Sequence, residues 1–91
     1  MTWDINSLTD IERFTLFSLY YACNGSIHAH VPEGAVSRRF ASDEKGDVSK
    51  ALNKLQKKGL CIKKPTGRNT TYGLTIEGSK LAKELLEKSD P

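Results

Sequence analysis

The chain has 91 residues, of which 37% are hydrophobic and 27% charged. That length supports one domain with a modest core. No apolar run approaches the roughly 18 residues a membrane span needs, and MTWDINSLTD at the start lacks a basic-then-apolar signal pattern. From these features a soluble, cytoplasmic chain is expected. Net charge is only +3, yet residues 45–68 hold eight basic side chains and one acidic one, a local +7 against −4 in the remainder. Such concentration is the electrostatic footprint of a face that binds a polyanion.

Residues 1–7 read as a short arm whose large apolar residues are Trp3 and Ile5. Thr9-Asp10-Ile11-Glu12 has the form of a capping box, in which Thr9 accepts from the Glu12 backbone and Glu12 reaches back to Thr9. A first helix is expected over 10–23, with Asn24-Gly25 as its stop signal. Its apolar residues spread around nearly the whole circumference, so it must be covered on more than one side. Residues 26–31, SIHAHV, alternate as a short strand would. Pro32 suits the first turn of a second helix, expected over 32–41. Residues 42–46 read as a polar turn.

Asp47 is a plausible N-cap for a third helix running to Lys58. On it Val48, Ala51, Leu52 and Leu55 form a core-facing stripe, while Lys50, Asn53, Lys54 and Lys57 recur at the same spacing on another face. Gly59 suits a left-handed helix stop. A strand is expected at 60–62, a turn at 65–69 and a returning strand at 70–74, with Arg68 in the turn. Thr75 can cap a last helix over 76–88, beyond which residues 89–91 should fray. That helix carries two adjacent apolar stripes, Leu81 with Leu85 and Ala82 with Leu86, one available for the core and one for a partner.

The element order is α-β-α-α-β-β-α, a mainly α domain with a small β-sheet (α+β), occupying 1–91 with its core at about 9–88. The second and third helices with their turn make a helix-turn-helix, and the hairpin makes a wing. Residues 51–60, ALNKLQKKGL, look like the recognition helix, glycine stop and leucine-led first wing strand of winged helix-turn-helix transcription regulators. Residues 72–78, YGLTIEG, look like that family's second wing strand entering a threonine-capped helix. The pattern is most similar to the small regulators of the multiple-antibiotic-resistance type and their archaeal relatives. The turn at 42–46 departs from it in being long and acidic, then basic.

The residues and the resemblance together imply a sequence-specific regulator of transcription bound to double-stranded DNA, with a recognition helix at about 47–58 and a basic wing at about 60–75. Lys50, Asn53 and Lys54 are the candidates for the major groove, with Ser49 beside them. Asparagine suits adenine and lysine reaches guanine or phosphate. Lys57 and Lys58 are candidates for phosphates, Lys63, Lys64 and Arg68 for phosphates or the minor groove, and Arg38 and Arg39 for the duplex backbone. A homodimer through the first and last helices would match a two-fold DNA site. The competing reading is a winged-helix module that binds protein and not DNA, since fold alone does not decide function.

Nothing in the chain suggests catalysis. No glycine-rich phosphate loop follows a strand, and no Ser/His/acid set has recognisable context. Cys23, His28 and His30 lie near one another in sequence, but metal sites normally draw close ligand pairs from both halves, so the histidines read as surface residues and no cofactor is expected. Cys23 and Cys61 read as buried thiols without a disulfide.

Overall fold

The computed structural model describes residues 8–89; the expected N-terminal arm and the last two residues lie outside them. The first helix, α1, spans Asp10–Ala22 and is closed by the capping box: Thr9 Oγ1 accepts from Glu12 N at 3.3 Å, and Thr9 N donates to Glu12 Oε1 at 2.8 Å. Asn24 and Gly25 have φ of 53° and 73° and end the helix. The left-handed conformation is open to glycine and tolerated by asparagine, which is why this pair reverses the chain.

A strand over 26–31 was expected, but the strand, β1, is only Val31–Pro32. The preceding segment turns instead, because Ser26 N donates to Cys23 O and His28 N to Ser26 Oγ. The second helix is shorter than expected. It covers Glu33–Ser37 (α2), with Pro32 just outside as the N-cap and not in the first turn. Phe40 N donates to Ser37 O, three residues back, and this tight turn returns Phe40 to the core margin.

The expected polar turn at 42–46 is also helical. Ala41 N donates to Glu44 Oε1 at 3.2 Å, and Ser42–Glu44 forms a 3₁₀ turn that leads directly into α3, Lys45–Lys57. The helix therefore starts two residues before the expected position, and Asp47 lies in its first turn. At the other end Gly59 has φ 76°, with Gly59 N bonded to Gln56 O and Leu60 N to Leu55 O. These two bonds are the paired closure that a left-handed glycine allows at a helix end.

Strands β2 (Cys61–Thr66) and β3 (Asn69–Leu74) form the hairpin, and β1 pairs antiparallel with β3, giving the order β1-β3-β2. The connection is two residues, Gly67-Arg68, not the five expected at 65–69. Gly67 has φ 38°, the positive value such tight loops need at their first position. Pro65 stays within β2 because that strand is at the sheet edge, where a missing N–H costs no ladder bond.

The last helix, α4, runs Ile76–Ser89. Thr75 Oγ1 accepts from Gly78 N at 3.0 Å, capping it, and donates to Gly59 O at 2.7 Å, so one hydroxyl ties the end of α3 to the start of α4. A Cβ at Gly78 would stand 1.8 Å from the Leu60 carbonyl oxygen, so only glycine permits this approach.

The core joins Leu16 and Leu19 of α1, Val36 of α2, the α3 stripe, Leu60, Cys61, Tyr72, Leu74, and Leu81, Ala82 and Leu85 of α4. Ser18 Oγ donates to Val36 O at 2.5 Å and pins α1 to α2. The expected division of α4 into a core stripe and a free stripe does not hold: Leu81, Ala82 and Leu85 are all buried and Leu86 is half-buried. One broad apolar face is enough to account for them. Large apolar residues are left exposed on both helices: Phe14 and Tyr21 of α1 at 57% and 52%, and Ile76 at the start of α4 at 58%. A helix-turn-helix carrying a β-hairpin wing is the arrangement the element order implied.

Candidate nucleic-acid interface

The position of α3 is set by its buried side. Val48, Ala51, Leu52 and Leu55 pack into the core, which turns Lys50, Asn53, Lys54, Gln56 and Lys57 to solvent. Asn53, Gln56 and Lys57 line an open concavity of about 320 Å³. Gln56 was not among the expected contacts. It is one residue off the lysine stripe, and its carboxamide offers the same donor–acceptor pair as Asn53. Ser49 is half-buried at the margin of this surface. The helix start is acidic as well as basic, with Asp43, Glu44 and Asp47 exposed beside Lys45.

Lys58 departs from the expected phosphate role. Its Nζ lies 3.2 and 3.3 Å from the two carboxylate oxygens of Glu12, which is 2% exposed. Burial opposes ionisation of Glu12, but the Thr9 backbone N–H and the Lys58 ammonium outweigh it and hold the carboxyl below its usual range. A buried carboxylate requires a counter-charge, and Lys58 serves that need between α1 and the end of α3. Periodicity on one helix carries no sign of a partner 46 residues away.

In the wing, Lys63, Lys64 and Arg68 are exposed. Arg68 occupies the second position of the two-residue loop and so stands at the tip. Lys63 and Lys64 are consecutive in one strand and lie on opposite faces of the hairpin, so a single duplex surface meets one of them more directly. The hairpin is stiffened by side chains as well as by its ladder: Thr71 Oγ1 donates to Lys64 O at 2.9 Å and Thr66 Oγ1 to Asn69 O at 3.0 Å. Tyr72 is a packing residue, 4% exposed, its phenol pushed up by burial and then by the Glu33 carboxylate.

The two arginines after α2 differ in setting. Arg38 is exposed. Arg39 Nη1 donates to Ala35 O at 3.4 Å, and its guanidinium lies 6.0 Å from the Tyr21 ring centroid, over α1. It borders a groove of about 350 Å³ lined by Phe14, Phe17, Tyr21, Phe40 and Glu44.

Cys23 Sγ donates to Ala29 O at 3.7 Å and Cys61 Sγ to Leu52 O at 3.5 Å. Burial raises the Cys23 thiol and pushes the Cys61 thiol up to about 12, so neither is poised as a thiolate. Among the described residues no group of three or more His, Cys, Asp or Glu side chains could hold a metal ion, and no helix is long and apolar enough to cross a membrane.

No protein-family model and no curated protein matches the chain. Solved structures do. AF1382 from Archaeoglobus fulgidus has a TM-score of 0.77 at 21% identity, over 94% of this chain and 92% of that one. MepR, a transcription regulator of the Staphylococcus aureus multidrug efflux pump MepA, has a TM-score of 0.72 at 22% identity, over 93% of this chain and 60% of that one. BpsR of Bordetella bronchiseptica, whose DNA binding is regulated by 6-hydroxynicotinic acid, has a TM-score of 0.74 at 16% identity, over 98% of this chain and 64% of that one. A single-substitution variant of MepR has been solved bound to an oligodeoxyribonucleotide. The chain thus spans nearly all of the archaeal protein and under two thirds of the two regulators. Its described residues have their winged-helix fold: four α-helices and a three-stranded antiparallel sheet.

Proposed function

We propose that this chain is a sequence-specific regulator of transcription that binds double-stranded DNA, has no enzymatic activity, and works in the cytoplasm as a homodimer. The observation that carries the reading is the exposed stripe of Lys50, Asn53, Lys54 and Lys57, held outward by the buried stripe behind it. A helix so presented matches the width of a major groove, and the exposed Arg68 at the wing tip supports a contact with the flanking backbone. Lys58, committed to Glu12, is left out of the contact set. The comparison with regulators that bind DNA supports the reading through the shared fold.

For the dimer, exposed large apolar residues are offered by α1, at Phe14 and Tyr21, and by the first turn of α4, at Ile76. The contact is therefore assigned to α1 together with α4.

The test is titration of labelled duplex DNA at several salt concentrations. Seven exposed cations lie between residues 45 and 68. If about five of them meet phosphates, log K falls with log salt at a slope near −4.5. Absence of duplex binding at low salt overturns the reading in favour of a protein-interaction module.

A further inference from the structure

Among the described residues, nothing around Gly46 requires it to be glycine. Five of the seven glycines do have such a requirement: Gly25, Gly59 and Gly67 take positive φ, and Gly73 and Gly78 are hemmed in by atoms 2.9 and 1.8 Å from an added Cβ. Gly34 shares the openness of Gly46, but it sits in a helix of five residues, where helix-forming tendency counts for little. Gly46 is the second residue of the 13-residue α3, is exposed, does not take positive φ, and would place a Cβ with nothing within 4 Å. Alanine there should favour the helix, because glycine loses more backbone freedom and packs nothing. Where a chain breaks a local rule without an internal gain, the gain is to be sought at a functional surface.

The position of Gly46 on α3 supplies it. At about 100° per residue, Gly46, Lys50, Asn53 and Lys57 fall within about 60° of one another, on the side away from Val48, Ala51, Leu52 and Leu55. They form the outward ridge of the helix, and Gly46 is its leading end. Helical side chains lean toward the N-terminus, so the Lys50 side chain extends over the turn that Gly46 leaves bare. The N-terminal residues of a recognition helix are the ones that approach base edges.

We propose that Gly46 is a specificity-determining position: its bare backbone lets the first turn of α3 seat against the base edges of the major groove, bringing Lys50 and Asn53 within reach of them. The inference rests on the DNA-binding reading above. A methyl group at the leading end of the ridge holds the helix off the groove floor. Contacts to phosphates, made by long flexible lysines, tolerate that displacement, whereas contacts to base edges do not.

The experiment compares wild type, Gly46→Ala and Gly46→Leu on two duplexes: one enriched by the wild-type chain from a random pool, and a scrambled version of it. Thermal melts accompany the binding. For Gly46→Ala the melt should rise by a few degrees while affinity for the enriched duplex falls about tenfold. Gly46→Leu should lose more affinity while remaining folded. Affinity for the scrambled duplex and the salt slope should hardly change. Stability and specific binding thus move in opposite directions, which a merely structural glycine would not produce. Wild-type affinity in both variants, or a melt that falls with Gly46→Ala, overturns the proposal and leaves the DNA reading intact. A wild-type chain that binds no duplex at low salt overturns both.

Discussion

Replacing Lys58 with methionine should destabilise the fold and leave the proposed DNA surface intact. Glu12 is 2% exposed and takes two bonds from the Lys58 ammonium, at 3.2 and 3.3 Å. Methionine preserves most of the aliphatic stem but, among the described residues, leaves the carboxylate with Thr9 alone as its partner, chiefly the Thr9 N–H at 2.8 Å. Breaking a buried pair from one side costs on the order of 3 kcal/mol. The Lys58 side chain is 22% exposed and the Thr9 bond survives, so about 2 kcal/mol is the expected loss, or roughly 10 °C in Tm for a domain of this size. Glu12→Gln should cost less, because the freed ammonium can turn to water. The double variant should recover part of the loss, giving a coupling of about 1 kcal/mol in a double-mutant cycle. The pair is also sensitive to pH. The folded carboxyl of Glu12 is held below its unfolded value, so its stabilisation is complete above an unfolded pKa of about 4.3 and is lost as pH falls through the lower folded value. The Lys58→Met defect measured by denaturant melts should therefore be present at pH 7 and shrink in strong acid. A defect under about 0.5 kcal/mol at pH 7 would refute the argument, since that is what a surface lysine gives. The salt slope of duplex binding should be unchanged in Lys58→Met; a slope reduced by one contact would return Lys58 to the phosphate set.

Two further outcomes are expected. Asn53→Ala should cost about 1–3 kcal/mol on the preferred duplex and little on a scrambled one, whereas Arg68→Ala should weaken both alike and reduce the salt slope by about one contact; a collapsed thermal melt in Asn53→Ala, with specificity retained, would make Asn53 structural and shift the recognition surface toward Lys45 and Asp47. Sedimentation at micromolar concentration should give twice the 10.1 kDa chain mass, and Phe14→Asp should halve it without unfolding the chain, because Phe14 is 57% exposed; a wild-type monomer at every accessible concentration would exclude the dimer.

Features governed by near neighbours in sequence were the ones legible there. The Thr9–Glu12 capping box, the Gly59 helix stop and the Thr75 cap each depend on residues within a turn of one another, and each falls where the pattern put it. The α3 core stripe was legible because four apolar residues recur at one period. What failed depended on contacts that periodicity cannot see. Residues 42–46 have the composition of a turn, yet the Glu44 carboxylate captures Ala41 N and makes them helical. Lys58 belongs to a lysine run in sequence and to Glu12 in space. The two stripes of α4 looked like surplus, but α4 lies deeply enough that both contribute to the core. Gln56 was overlooked because it falls between the periodic positions, and only the concavity it shares with Asn53 and Lys57 brings it into view.

The placement of β2 at the sheet edge bears on how copies of the chain can meet. An open edge is a template on which another strand can add, and continuous sheets and fibres begin that way. Here the unpaired side belongs to the strand that holds Lys63, Lys64 and Pro65. Proline offers no amide to an incoming strand, and two adjacent ammoniums repel a second copy of themselves. The side chains that make the wing attractive to a polyanion thus also guard its edge against self-addition. At this edge, sheet extension from one copy to the next is opposed.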